Sequence, residues 1–455
     1  MEEKKIIELK KNLEDLLNKK PNNTDARFSL AALYYNLGNS FLRKKKFDEA
    51  IKNYLKSVAI DKKFVSSYYN LGNVYKEKED LEKAIAYFKI AVEMDPNNIS
   101  AKINLGVANS SNGNSKECIK HFKDLLTQNN YKLNLSETRK SDIRYSLGIE
   151  LLREGEYEEG LKNYEYRLTT SDYPLDLNQY KKKPNNLNEI KNKKILAVAE
   201  QGFGDVFQFI RYLEFLEKHA FEIYFQCNKK LFRVLSCIKS IKKFYAFNEK
   251  IKNYDFCAPL MSLPLLFNTD LKTIPNSSYI YPEEKLVNDW NDKLRKKKSF
   301  KVGLFWQGST ESSGSKKRAI KLKDLETLLE LEKIDFISLQ KGEGHEQIEK
   351  TKFSKCMIDY NDIIDTGKDA FIDTAAIIKN LDLVISSDTS IVHLSGAIGT
   401  KVWMLEPKVP NWTWTNYGTT TPWYSSLKIF RQEKANNWKK PVKDLKNKLL
   451  KILQQ

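Results

Sequence analysis

The dipeptide Leu37-Gly38 returns as Leu71-Gly72 and then as Leu105-Gly106, and each glycine follows the one before it by 34 residues. A small residue and then an aromatic residue keep the same phase in each copy, namely Ala50 and Tyr54, Ala84 and Phe88, Cys118 and Phe122. A fixed period of this length indicates stacked helical hairpins, because one hairpin cannot bury its own apolar face. The sequence therefore predicts an all-α solenoid at the N-terminal end of the chain.

The 34-residue period resembles that of tetratricopeptide repeats. Ala50 is expected where the two helices of a hairpin cross, and Gly38 and Gly72 are expected to let neighbouring backbones approach. A degenerate further copy is predicted over 141–168, and a half-repeat over 3–20. We therefore predict a repeat domain over 1–168, whose groove would dock an acceptor or a protein partner.

The helical repeat pattern ends after residue 168. The polar stretch 169–193 contains Pro174 and Pro184 and predicts a linker. Beyond it, short β-branched and aromatic runs alternate with helical stretches, which indicates parallel sheets covered by helices. The predicted strands cover 194–199, 222–227, 301–306, 336–339, 383–386 and 401–405. We predict two α/β lobes, 194–297 and 298–436, facing each other across a cleft, and a final helix over 437–455 that crosses back to the first lobe.

Composition limits the class of protein. The 455 residues carry a formal net charge of +18, and no run reaches the roughly 18 apolar residues of a membrane span. The charged start leads into an amphipathic stretch, unlike a secretory signal. Five well-separated cysteines are typical of reduced thiols, and the four histidines lack the spacing of a metal site. We expect a cytoplasmic protein without metal or cofactor, with peripheral contact to the anionic inner membrane face and no nucleic-acid partner.

The first strand of the α/β region runs into a glycine-rich turn, Glu200-Gln201-Gly202-Phe203-Gly204-Asp205. Two glycines let the backbone approach a ligand, and Asp205 falls at the start of the following helix. Asp205 either faces the cleft as a functional carboxylate or caps the helix, a role that Asp commonly fills. The third glycine of a dinucleotide-binding fingerprint is missing.

A second strand-to-helix turn runs from Ser386 through Asp388-Thr389-Ser390 to His393. Backbone amides and hydroxyls at a helix N-terminus suit a diphosphate. The alternatives remain open: Asp388 as a helix cap, Ser390 as a small loop residue, and His393 as a satisfied core histidine.

Taken together, ordered motifs over roughly 141–435 resemble the heptosyltransferase-like glycosyltransferases, glycosyltransferase family 9, in bacterial proteins that carry tetratricopeptide repeats before this domain. The motifs lie at 204–206, 303–308, 318–322, 338–342, 387–397, 412–414, 421–427 and 430–432. The resemblance implies a GT-B fold of two Rossmann-like lobes. It also implies an inverting, metal-independent transfer from a nucleotide-diphosphate sugar, the co-substrate, to a glycan, glycolipid or protein.

The resemblance also implies roles for residues. Asp205 would be the general base, and the backbone at Gln201, Gly202 and Gly204 would line the cleft. The donor and its diphosphate would contact Asp388, Thr389, Ser390, His393, Arg318, Gln307, Gly308, Gln340 and Lys341. From position alone, Gln340 and Lys341 either line the nucleotide pocket or are loop residues.

Two alternatives to an active enzyme of the hexosyl or heptosyl class stay open. One is an inactive repeat scaffold with a degenerate nucleotide-sugar domain, and the other is a protein O-linked sugar transferase. The aromatic residues Trp412, Trp414, Trp423 and Tyr424 are either a sugar-stacking platform or, as we favour, rings that pin a late loop against the second lobe.

Overall fold

The structure is a computed structural model that describes residues 2–127, 135–294, 299–310 and 313–454. The chain forms two compact units, Met1–Glu154 and Gly155–Gln455. The predicted division between the two lobes, at 297/298, lies outside the described residues.

The first unit is built of successive packed helices. Side chains cap some of these helices: Asn98, for example, accepts a hydrogen bond from the amide of Ala101 (2.9 Å) and caps the helix that begins at Ile99. The helices are α1 Glu2–Lys19, α2 Thr24–Arg43, α3 Phe47–Ile60, α4 Val65–Glu77, α5 Leu81–Met94, α6 Ile99–Asn112, α7 Ser115–Thr127 and α8 Glu137–Arg153.

The repeat glycines make room for an aromatic ring. A Cβ added to Gly72 would lie 2.6 Å from ring atoms of Phe88, and Gly38 and Gly106 meet Tyr54 and Phe122 in the same way. The prediction that Gly38 and Gly72 serve an approach of neighbouring backbones was therefore wrong, because the close neighbour is the aromatic side chain of the following helix.

The helix α9 Tyr157–Tyr164, predicted as part of the last repeat, falls in the second unit. Tyr164 donates to Sδ of Met261, and Tyr157 accepts a hydrogen bond from Nε1 of Trp423. The predicted repeat boundary at residue 168 therefore differs from the division between the compact units, because the apolar side of this helix is buried in the second unit.

The segment predicted as a linker, 169–193, packs onto the first lobe. Leu175 and Tyr180 pack against the buried strand residues Leu196 and Val198. Ile190 is fully buried. The prediction of a linker was wrong, because apolar side chains interspersed in this polar stretch supply a face that covers the sheet.

The first lobe contains a parallel four-stranded sheet of order β3-β2-β1-β4. Residues 195–198 are buried on both faces, as expected for a strand covered by helices. The strands are β1 Lys194–Val198, β2 Glu222–Cys227, β3 Ile241–Ala246 and β4 Phe256–Pro259. The helices are α10 Phe203–Phe209, α11 Tyr212–Leu216, α12 Phe232–Leu235, α13 Leu263–Leu266 and α14 Glu284–Leu294.

The second lobe contains a parallel five-stranded sheet of order β6-β5-β7-β8-β9. Its strands are β5 Phe300–Phe305, β6 Ile334–Ser338, β7 Leu383–Ser387, β8 Val402–Glu406 and β9 Leu427–Arg431, and its helices are α15 Ser313–Arg318, α16 Ile372–Lys379 and α17 Ser390–Ile398. All six predicted strands are present within two residues of their expected limits, whereas β3, β4 and β9 were not predicted.

The final helix, α18 Lys439–Leu453, packs on the second lobe. Val442, Leu445 and Leu449 form its buried stripe and join the core around Val302 and Leu405. The prediction that this helix crosses back to the first lobe was wrong, because its apolar face is covered by the sheet that precedes it in sequence.

The predicted fold class is confirmed: a helical repeat region precedes an α/β region whose two sheets are parallel, as in the GT-B fold. None of the described helices is both long enough and apolar enough to cross a membrane.

Candidate functional site

The glycine-rich turn leads from β1 into the helix α10. Gly202 is the N-cap, with an extended backbone (φ −71°, ψ 169°), and its amide donates to Oδ2 of Asp205 (3.0 Å). One carboxylate oxygen thus closes the turn as a helix cap. The half-buried Asp205 still reaches the cavity described below.

The second turn follows β7, where Thr389 is the N-cap of α17. No side chain of the described residues caps this helix, so its first amides have no partner from the usual capping interaction. Thr389 Oγ1 instead lies 3.1 Å from Oγ of Ser386. The helix therefore presents a partial positive charge at its first turn.

Both turns line a single cavity of about 380 Å³. From the predicted set, it is lined by Gln201, Gly202, Gly204, Asp205, Gly308, Arg318, Asp388, Thr389, Ser390 and His393. Phe203, Ser309 and Asn411 also line it and were not among the predicted site residues. The volume lies within the range of small-molecule sites, roughly 300–1,000 Å³.

Asp388 is buried and fixed from two sides. Its Oδ1 accepts a hydrogen bond from Nε1 of Trp414 (2.9 Å), and its Oδ2 pairs with the partly exposed Arg318 (3.2 Å). Asp388 therefore holds a guanidinium at the cavity wall and does not cap α17. A cation held at a helix N-terminus is an arrangement that attracts anions.

The carboxyl of Asp205 binds its proton more tightly than an ordinary Asp. Burial raises the pKa of Asp205 to about 6, even though the Gly202 amide and the Arg318 charge favour the charged form. A carboxylate with this pKa is largely ionised near pH 7 and is also a stronger base than an exposed Asp.

His393 faces the cavity with one edge and the protein core with the other. Its Nδ1 lies 3.1 Å from the Tyr424 hydroxyl, and its ring stacks on Trp414 (centroids 5.0 Å apart). Burial first, and then Arg211 and Arg318, lower the pKa of His393 to about 4, although Asp388 acts in the opposite direction. The imidazole is therefore neutral at physiological pH.

Three predicted donor residues lie outside this cavity. Gln340 is buried, and its amide bridges the backbone of Trp306, Gln307 and Glu343. The side chain of Gln307 accepts a hydrogen bond from Gln347 (3.0 Å). The two side-chain amides tie loops together and lie outside the first cavity, so for Gln340 the structure favours the interpretation as a loop residue, and donor contact at Gln307 stays a prediction.

Lys341 lines a second cavity of about 300 Å³, which shares Phe203 and Ser390 with the first. Its walls carry apolar side chains and several charges, from Lys230, Phe305, Leu339, Asp365, Asp369, Phe371 and Thr374. Nζ of Lys341 donates to the carbonyl oxygen of Asp365 (3.0 Å).

The aromatic cluster forms a packed wall. Trp412, Trp414, Trp423 and Tyr424 are each at most 5% exposed. A sugar could not stack on these rings, because the protein covers their faces. Trp414 and Tyr424 pack on His393 of the second lobe, as favoured. Trp412 and Trp423 pack on Phe209 of the first lobe, so the interpretation that the whole cluster pins the loop against the second lobe was wrong for these two rings.

Among the residues that the structure describes, no group of three or more His, Cys, Asp or Glu side chains is suited to hold a metal ion.

Models of the TPR repeat and the tetratricopeptide repeat match residues 38–78 and 65–98. Protein FlbA of Caulobacter vibrioides is 25% identical over 272 residues, which cover 55% of this chain and 45% of that protein. The chain thus spans less than half the length of this curated relative.

Two solved structures are similar to the C-terminal region. The glycosyl transferase family 9 protein from Veillonella parvula shares 14% identity over 58% of this chain and 97% of its own, with a TM-score of 0.42. The E. coli ADP-heptose lps heptosyltransferase II shares 11% identity over 57% of this chain and 97% of its own, with a TM-score of 0.40. The chain thus carries tetratricopeptide repeats before a region that is similar to these two proteins.

Proposed function

We propose that the second unit is a glycosyltransferase that moves a sugar from a nucleoside-diphosphate donor to an acceptor hydroxyl, with inversion and without a metal ion. One observation carries the proposal: a carboxyl of raised pKa, Asp205, and an uncapped helix N-terminus beside Arg318 line the same cavity. A base and an anion site in one cavity are the two groups that this reaction requires.

In the proposed reaction, Asp205 accepts the proton of the acceptor hydroxyl. The acceptor oxygen then bonds to the anomeric carbon, while the bond from that carbon to the diphosphate oxygen breaks. The leaving nucleoside diphosphate gains negative charge. The amides of the first turn of α17 and the guanidinium of Arg318 stabilise that charge in place of a divalent cation.

The second cavity suits the nucleoside part of the donor. It adjoins the proposed diphosphate site at Ser390 and offers the apolar walls Phe305, Leu339 and Phe371, on which a base can pack. Lys341 and Asp365 also line it, where Lys341 Nζ donates to the Asp365 carbonyl oxygen and the Asp365 carboxylate accepts from Thr374. A nucleoside there and a diphosphate at α17 would place the sugar toward Asp205.

The test begins with donor binding. We expect one or more nucleoside-diphosphate sugars from a panel to raise the Tm of the full chain. At a ligand concentration of a hundred times Kd, the free energy of unfolding should rise by about 2.7 kcal/mol. With that donor, slow hydrolysis should release nucleoside diphosphate even without a known acceptor. The release should fall about 10²–10⁴-fold in Asp205→Asn.

Asp205→Asn is a conservative change, because the Asn side-chain oxygen can still accept the Gly202 amide. It should therefore keep its affinity for the donor, whereas Arg318→Gln should weaken donor binding. If no nucleoside-diphosphate sugar stabilises the protein, the proposal is wrong. If a donor binds but release is the same in wild type and Asp205→Asn, the inactive scaffold is the better description.

We propose that the repeats of the first unit bind a protein or glycan partner of the transferase. Helical hairpin arrays expose extended surfaces suited to such binding. Retention of the partner by the isolated repeats would not distinguish the enzyme from the scaffold, so the catalytic test above decides between them.

A further inference from the structure

Arg211 is a buried cation that the sequence analysis did not single out. It lies between α10 and α11, is 1% exposed, and makes no ion pair within the described part of the chain. Its guanidinium carbon instead lies 4.6 Å and 4.5 Å from the ring centroids of Tyr279 and Tyr424. Its hydrogen bonds go to the carbonyl oxygens of Gln208, Pro275 and Trp423 and to the hydroxyl of Tyr279.

The proton of the Tyr279 hydroxyl is already committed. This hydroxyl donates to the carbonyl oxygen of Phe207 (2.6 Å) and accepts from Arg211 (2.8 Å). The Tyr279 oxygen lies 3.4 Å from the Tyr424 oxygen. Because its proton is used elsewhere, Tyr279 can only accept a long hydrogen bond from Tyr424.

The Tyr424 hydroxyl has a better acceptor in His393, whose Nδ1 lies 3.1 Å away. The neutral imidazole carries one N–H, and the partner of one nitrogen decides which nitrogen holds it. We propose that Arg211 and Tyr279 orient the Tyr424 hydroxyl to donate to Nδ1 of His393, so that His393 keeps its proton on Nε2 and directs that N–H toward the cavity.

The other edge of the ring supports this assignment. A Cβ added to Gly204 would lie 3.6 Å from Nε2, and both Gly204 and His393 line the cavity. With the proton on Nε2, the ring offers a donor to an anionic oxygen. With the proton on Nδ1, it would offer a lone pair, which repels an anion.

The role of this N–H rests on the proposed function, because the anion would be the diphosphate of the donor. Arg211 and Tyr424 are then positioning residues, which act through His393. The uncompensated charge of Arg211 also favours the neutral imidazole, as its effect on the pKa of His393 indicates. A neutral donor next to Asp388 avoids an ion pair that would compete with the substrate.

The chain is well suited to a direct test, since it has only four histidines. Full-length protein labelled with ¹⁵N-histidine would be studied by long-range ¹H–¹⁵N correlation near pH 7, with His393→Gln to assign the signal. We expect the Nε2–H tautomer in wild type and a mixture of tautomers in Tyr424→Phe. Tyr245→Phe, which removes a hydroxyl on the strand β3, should leave the signal unchanged.

The Nδ1–H tautomer in wild type, or an unchanged tautomer in Tyr424→Phe, would overturn the proposal. Because Arg211→Lys loses the planar fork and could unfold the lobe, it serves only as a second variant. If it folds, it should shift the tautomer in the same direction as Tyr424→Phe.

Adding inorganic pyrophosphate separates this inference from the proposed function. We expect pyrophosphate to shift the His393 Nε2–H signal and to bind about tenfold more weakly to Tyr424→Phe, which corresponds to about 1.4 kcal/mol. If the tautomer is as proposed but neither pyrophosphate nor any nucleoside diphosphate binds, the transferase proposal fails while the tautomer assignment stands. If pyrophosphate or a nucleoside diphosphate binds but His393 carries its proton on Nδ1, the tautomer assignment fails while the transferase proposal stands.

Discussion

Gly204 of the first lobe packs directly against His393 of the second: a Cβ on Gly204 would lie 3.0 Å from Cδ2 of His393 and 3.4 Å from Cα of Ser390. The two lobes thus meet at the cavity that holds the candidate base and the candidate anion site. The absence of a side chain at one position sets how closely they meet.

We expect Gly204→Ala to lower nucleoside-diphosphate release by about tenfold. The new Cβ would lie only 3.0 Å from Cδ2 of His393, whose ring is held by Trp414 and Tyr424, so this ring or the turn must shift by a few tenths of an ångström. Small displacements at a reacting site are costly in catalysis. The gain of about 1 kcal/mol in helix propensity from Gly to Ala should keep the Tm near the wild-type value.

Gly202→Ala is the matched variant, because its Cβ would make only an ordinary contact, 3.5 Å from Oδ2 of Asp205. Its effect on release should be smaller than that of Gly204→Ala. Equal effects would mean that the turn, and not the contact with His393, sets the rate.

Asp205→Asn should be more stable than wild type at neutral pH. Because the folded-state pKa of Asp205 is raised to about 6, its contribution to stability is present at low pH and is lost as the pH rises through 6. The variant should therefore gain on the order of 2 kcal/mol above pH 7 and nothing below about pH 4.

Calorimetry of the full chain from pH 4 to pH 8 checks this expectation. Asp270→Asn is a control of opposite sign, since hydrogen bonds from the Lys272 and Thr273 amides lower the pKa of Asp270. Asp270→Asn should be less stable than wild type at pH values above those at which an ordinary carboxyl titrates. A constant difference between wild type and Asp205→Asn across the range would contradict the raised pKa.

Catalytic activity should rise with pH, whereas the stability contribution of Asp205 falls with pH. A general base must be ionised, so kcat/KM for donor turnover should rise with pH through about 6 as Asp205 loses its proton. Initial rates between pH 4.5 and pH 8 measure this limb. A flat profile over that range would argue against Asp205 as the base.

In the repeat unit, Gly72→Ala should destabilise the helical array by about 1–3 kcal/mol, because its Cβ would clash with the fully buried ring of Phe88. Adding Phe88→Leu should recover part of the loss. Ser66→Ala, at an exposed position of the same helix, should change the Tm little. Thermal unfolding followed by circular dichroism compares the variants, and a neutral Gly72→Ala would contradict the contact.

Arg167 and Glu200 form a buried, bidentate ion pair at the base of the glycine-rich turn, with both contacts at 2.9 Å. Arg167→Met should cost about 3–5 kcal/mol, because it leaves the Glu200 charge buried and unpaired. Glu283→Ala, which breaks the exposed pair with Arg233, should cost less than about 1 kcal/mol. Similar Tm losses in denaturation of the two variants would show that burial does not set the strength of this pair.

Parts of the fold follow from local sequence. The spacing of Gly38, Gly72 and Gly106 predicts the hairpin array, because each repeat contacts mainly its neighbours. The apolar runs predict six of the nine strands. The missed strand Ile241–Ala246 lies at a sheet edge and carries exposed lysines, which conceal the period-two pattern.

The sequence by itself determined the repeats, the parallel sheets and the two turns, since a helix start after a buried strand is a local pattern. Only the tertiary structure decided which groups complete the cavity. Three contacts at the cavity join segments that are far apart in the chain: the hydrogen bond from Arg211 to the Trp423 carbonyl oxygen, the hydrogen bond between Tyr424 and His393, and the contact of Gly204 with His393. Tertiary contacts also decided where two segments pack: 169–193 on the first lobe and the final helix on the second. Each segment covers an apolar face formed by residues distant in sequence, so no local pattern predicts which face it covers.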